Sequence, residues 1–260
     1  MMLAFAGGRA LRSTSLSRPV QATTIAVGLL WLVCAATLAA PRAHGANGVP
    51  GTWWCMAGMS VARPGSSRGL SAALAGLPMA MVMVAAMTLP AALPAVHHVA
   101  LNSLRSRHWR AVAEFLIIYL GFWLGFVSVS MLLLSLLGPS TPDAALAAML
   151  GLCALWELTG LKLRALNRCH RSWPLPPRGI KATLGTVRFA ALNASGCIGT
   201  CAPAMLAMLI APRARLAWMI ALSAIAVYER LSRMPRKATR RAACAYAAAT
   251  AGATVGVLVA

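Results

Sequence analysis

The chain has 260 residues, 60% apolar and 11% charged, with a net charge of +20 and four acids, Glu114, Asp143, Glu157 and Glu229. Soluble domains carry about 25% charged residues, so this composition excludes an ordinary water-soluble globule and points to a bilayer. In a soluble protein the positive balance would suggest nucleic acid; here it reads as basic loops that orient membrane helices, and no nucleic-acid partner is expected.

Seven apolar segments follow in chain order, near 22–40, 70–92, 112–137, 143–161, 189–211, 214–231 and 242–260. A helix rises 1.5 Å per residue, so about 20 residues cross the hydrocarbon. Backbone groups in lipid need internal partners, and no period-two alternation suggests a barrel, so the expected fold is an all-α, multi-pass helical membrane protein. With the N-terminus in the cytoplasm, 19 of the 24 Lys and Arg fall on the inside and 5 on the outside. That asymmetry predicts seven helices, N-in and C-out. Six remain if the first is a cleaved signal, but its apolar part is longer than the ~7–15 residues of a usual signal core, which favours a retained helix. Residues 1–69 then form a basic start, the first helix and an outer loop. Residues 70–260 form a six-helix membrane domain.

The outer loop from 41 to 69 holds His44 and the run WWCMAGM, with Cys55, Met56 and Met59. Thiolate and thioether ligands suit copper(I), and imidazole suits copper or zinc. Trp53 and Trp54 equally fit a headgroup-level aromatic pair. In the second segment Met79, Met83 and Met87 recur every four residues and share one helix face. Such a stripe is commonly packing, yet it is also what a copper(I) path needs. Pro90 and Pro94 are expected to break or kink this helix, leaving carbonyls that need partners from neighbouring helices or water. His97 and His98 follow at its cytoplasmic end. Further on, Glu157 is an ionisable group inside a span and so a functional candidate. A Glu157–Lys162 or Glu157–Arg164 pair at the membrane edge is the plainer reading. Cys169 and His170 lie on the cytoplasmic side.

The fifth segment contains GCIGTCAPAM. Cys197 and Cys201 stand at i and i+4, on one face of a helix. Adjacent turns orient Cβ atoms poorly for a disulfide, whereas two thiols on one metal ion are easily arranged. Gly196, Gly199 and Pro203 fit a close-packed or locally opened helix. Counted at 1.5 Å per residue, Cys197 lies about 12 Å and Met83 about 13 Å from the cytoplasmic edge. Met83, Met87, Cys197 and Cys201 would meet if their two helices are neighbours.

Four stretches together resemble a bacterial family of predicted metal-binding integral membrane proteins, the domain of unknown function 2182. They are AAMTLPAALP at 85–94, LTGLKLRALNRC at 158–169, CIGTCAPAM at 197–205 and LAWMIALSAIAVYER at 216–230. Thr88, Ala165, Thr200 and Pro203 depart from the family's pattern, while Cys169, Cys197, Gly199, Cys201 and Met205 keep it. The resemblance implies a bacterial inner-membrane protein that handles a soft metal.

Three roles follow. The first is binding, delivery or transport of a soft metal, expected to be copper, through Cys197, Cys201, Met83, Met87 and Met79. Met205, Cys169, Glu157, Cys55, Met59 and His97 are further candidates, and a soluble or membrane partner would exchange the metal. The second is a metal-free membrane scaffold or assembly subunit. The third is a thiol-redox enzyme, disfavoured by the cysteine spacing. No phosphate loop, HExxH or nucleophile elbow occurs, so the expectation is a protein that is not an enzyme. Oligomeric state is not readable from the sequence.

Overall fold

A computed structural model describes residues 18–39, 68–137, 142–170, 173–176, 178–211, 215–232 and 234–259. Eight α-helices and no strand occur among them: α1 (Arg18–Ala39), α2 (Arg68–Asn102), α3 (His108–Leu137), α4 (Pro142–Glu157), α5 (Gly160–Cys169), α6 (Gly179–Ile210), α7 (Arg215–Leu231) and α8 (Pro235–Val259). A 3-10 turn, Arg105–Arg107, leads into α3. The expected all-α architecture is met.

Four described helices are long and apolar enough to cross a membrane, with windows at 18–36, 80–102, 105–134 and 179–210. A fifth span results if α4 and α5 are counted as one broken element, bent by 75° between them. The expected fourth segment, 143–161, is therefore not one straight helix. It stops at Glu157, and Thr159 restarts the chain by accepting the Lys162 backbone N–H at 3.2 Å. A threonine N-cap of this kind satisfies a helix-start donor and fixes the turn. The expected sixth and seventh spans also differ. Helix α7 has 17 residues, and α8 begins at Pro235 with Arg236, Lys237, Arg240 and Arg241 in its first two turns.

Helix α2 does not end at its prolines; it continues through Pro78, Pro90 and Pro94 to Asn102. Proline removes a backbone donor and crowds the preceding turn. Pro90 and Pro94 take the helical donors from the carbonyls of Ala86 and Pro90; the next carbonyls along, those of Met87 and Ala91, accept donors from α7, Ser223 Oγ at 3.3 Å and Arg230 Nη1 at 3.4 Å. In α6 the stranded carbonyl itself finds a donor. Pro203 leaves the Gly199 carbonyl without its helical donor, and Trp156 Nε1 donates to it at 3.1 Å.

Helix α3 packs on both α2 and α6, α1 on α2, α4 along α8, and α5 on α6, while α7 touches both α2 and α6. The α5–α6 approach is close because Gly196 and Gly199 have no side chains. A Cβ on Gly196 would lie 2.7 Å from Cys169 Sγ, and one on Gly199 would lie 3.1 Å from Ala165 Cβ. This is the small-residue packing typical of membrane helices. Phe115, Tyr119 and Trp123, one face of α3, are fully buried in the centre.

Candidate metal centre

The i, i+4, i+8 series on α6 puts Cys197, Cys201 and Met205 on one face, all buried. Gly196 and Gly199 lie on another face, against α5. The cysteine face looks into a small internal cavity of about 20 Å³, space for one water-sized particle. Met87 of α2 lines the same cavity, as do Lys162 of α5, Ser223 and Glu229 of α7, and Tyr246 of α8. Two thiols and two thioethers thus converge on one space. Both cysteines are free thiols.

Neighbours fix the thiols. Tyr119 donates its hydroxyl to Cys197 Sγ at 3.1 Å. Thr200 donates to the Cys197 carbonyl at 2.8 Å and lies 3.4 Å from Cys201 Sγ. The Thr200 hydroxyl thus touches the Cys201 thiol from within the motif.

Charged groups form the floor of the cavity. Lys162 is 2% exposed and is held by Glu157 and by Glu229, the latter at 2.8 Å. The expected membrane-edge pair is thus a buried triad, because the bend after Glu157 turns Lys162 inward. A buried lysine between two carboxylates satisfies the rule that buried charges are paired. Arg230 is a second, partly buried cation. Its Nη1 donates to Asn193 Oδ1 at 3.2 Å and to the Ala91 carbonyl.

The remaining candidates divide clearly. Met83 is buried in the core but is not among the cavity-lining residues, since it sits one turn from Met87. Cys169 lies under Gly196, with its sulfur 4.0 Å from the Asn193 carbonyl, and does not line the cavity. Glu157 acts through Lys162 rather than facing the cavity. His97 is half-buried near the end of α2, outside the cavity. The side chain of Met79, and Cys55, Met59 and the loop tryptophans, lie outside the described residues. Among the described residues no group of three or more His, Cys, Asp or Glu is placed to hold a metal. Met87 and Met205 are the sulfur side chains that line the cavity beside the cysteine pair.

Sequence reasoning did not single out Tyr119, Lys162, Ser223 or Tyr246 as parts of this site. Lys162 and Glu229 carried a usable signal, since ionisable groups within apolar segments mark functional sites. Tyr119 and Tyr246 carried none; they reach the site only through helix packing.

The fold and site define a class: an all-helical protein with several membrane-length apolar helices around a buried pair of thiols. The model of the PpoB2 copper chaperone family matches residues 77–254, and the chain belongs to that family. No curated protein and no solved structure matches the chain. The expected metal-related kinship is met as membership of a copper-related family.

Proposed function

We propose that this protein is a membrane-embedded copper(I) carrier that holds the ion on Cys197 and Cys201, with Met87 and Met205 as supporting ligands. The observation that carries the reading is the convergence of these four sulfur side chains on one small buried cavity. Copper(I) is a soft ion that favours thiolate and thioether ligands and tolerates low coordination numbers, so the donor set suits it better than zinc or magnesium. Copper is cargo here, taken up and passed on; the role is binding and delivery without chemistry on a substrate. The family's description as copper chaperones supports that reading.

Large apolar side chains such as Ile117, Val129 and Leu155 are 58–70% exposed on the outer faces of the helices. An apolar surface of this extent favours lipid as its surroundings. The bacterial inner membrane is the proposed location, with a metal-exchanging protein as partner.

The test is copper content. The full chain, purified in detergent and loaded anaerobically with copper(I), is expected to retain about one copper after desalting, held by the soft ligands. Cys197→Ala combined with Cys201→Ser is expected to retain none while keeping its helical circular dichroism. Equal copper in that variant overturns the proposal. Loss of copper with Met87→Leu or Met205→Leu alone would rank the thioethers with the thiols.

A further inference from the structure

We infer that Tyr119 is a positioning residue for the metal: its hydroxyl holds the Cys197 sulfur and strengthens the complex once that sulfur becomes a thiolate. The inference rests on Cys197 being a copper(I) ligand.

Tyr119 is fully buried on α3. Its ring stacks on Phe115 with 5.7 Å between centroids, and Phe115 in turn meets Phe189 of α6 at 5.8 Å. With the ring fixed in this way, the hydroxyl donates to Cys197 Sγ at 3.1 Å, across 78 positions of chain. Cys197 lines the cavity and Tyr119 does not. The tyrosine therefore supports the sulfur from outside the cavity and leaves its cavity side open to an ion. Cys201 receives no such support from the hydroxyl beside it: Thr200 gives its one hydrogen to the Cys197 carbonyl at 2.8 Å.

A neutral thiol is a weak acceptor, so in the metal-free protein this contact compensates poorly for burying a hydroxyl. When copper(I) binds, the Cys197 S–H bond breaks, its proton leaves to solvent and a metal–sulfur bond forms. Tyr119 keeps its proton. The acceptor is then an anionic thiolate, and hydrogen bonds to ionised acceptors are about twice as strong as neutral ones. The bond is therefore stronger in the loaded protein than in the empty one, and that difference enters the copper affinity. Hydrogen-bond partners of metal ligands typically account for about 10–100-fold in affinity.

The full chain in detergent, loaded anaerobically with copper(I), tests this with Tyr119→Phe, which removes the hydroxyl and keeps the ring. Chelator competition is expected to show copper(I) binding weakened about tenfold or more. The ultraviolet thiolate-to-copper charge-transfer band is expected to move to lower energy, because the lost hydrogen bond no longer stabilises the sulfur lone pairs. The rise in thermal midpoint on copper loading is expected to be smaller than in the wild type, whereas a purely structural role would lower the empty and loaded midpoints together. 3-Fluorotyrosine at position 119, a stronger donor of nearly the same shape, is expected to move the band to higher energy and takes over if the phenylalanine variant does not fold. Unchanged affinity and band position in Tyr119→Phe, or an unmoved band with 3-fluorotyrosine, overturns the inference while leaving the copper reading standing. A wild type that takes up no copper(I) overturns the copper reading and this one with it.

Discussion

At position 196 a hydrogen atom stands where any side chain would strike sulfur. The 2.7 Å approach of a hypothetical Cβ to Cys169 Sγ leaves no room for even a methyl group. Gly196→Ala is expected to destabilise the protein by about 1–3 kcal/mol through overpacking, read as a lower thermal midpoint. Cys169→Ala in the same chain is expected to recover most of that loss, because the two sites share one contact. An unchanged midpoint for Gly196→Ala would show that α5 does not seat on this glycine. The same scale explains why Met87 and not Met83 reaches the cavity. Both lie on one helix face, but the cavity runs along α2 from Met87 to Ala91 and does not extend back the turn to Met83. Thr200, foreign to the motif of the resembling family, has contacts of its own: its hydroxyl donates to the Cys197 main-chain carbonyl and lies beside the Cys201 sulfur.

Prolines within helices set the chemistry at the scale of the element. Each one strands the carbonyl four residues before it; that of Gly199 is matched to Trp156 of α4, and α7 donates to the Met87 and Ala91 carbonyls beside Pro90 and Pro94. These donors lock the helices in register, because an unpaired carbonyl in an apolar interior is costly. Trp156→Phe removes the donor to Gly199 and is expected to cost about 1–3 kcal/mol, beyond the small change in volume. Pro203→Ala returns a backbone N–H to that carbonyl, so the tryptophan change is expected to cost less in that background. A double-mutant cycle on thermal or denaturant unfolding measures the difference, and additive losses would refute the link. The bend between α4 and α5 acts at the same scale. It carries Lys162 from the expected membrane edge into the core, where Glu157 and Glu229 hold it.

Across the described residues, apolar side chains cover much of the outside as well as filling the core. Lys162, Glu157 and Glu229 are buried among them, while leucines, isoleucines and valines are exposed on the outer faces. Ile117, 70% exposed near the middle of the 105–134 span, distinguishes lipid from water as its surroundings. Ile117→Arg is expected to disfavour insertion by about 2.5–3.5 kcal/mol, seen as less protein in the membrane fraction. On a water-facing surface the same change would fall within about 0.5 kcal/mol, so an unchanged yield and location would argue against lipid contact.

The sequence by itself determined the class of protein. Sparse charge and long apolar segments required helices, because only helices satisfy their own backbone in an apolar setting. It also placed Cys197, Cys201 and Met205 on one face and Gly196 and Gly199 on another, because that follows from 3.6 residues per turn. The proline problem was legible too, since the missing donors are written in the chain. What only the tertiary structure decided is which faces meet. The convergence of Met87 with the cysteines depends on α3 and α7 both packing between α2 and α6. The inward placement of Lys162 depends on a bend that a hydropathy profile reads straight through. The proximity of Tyr119 and Tyr246 to the thiols joins residues far apart in the chain, and no local period encodes contacts between separate helices.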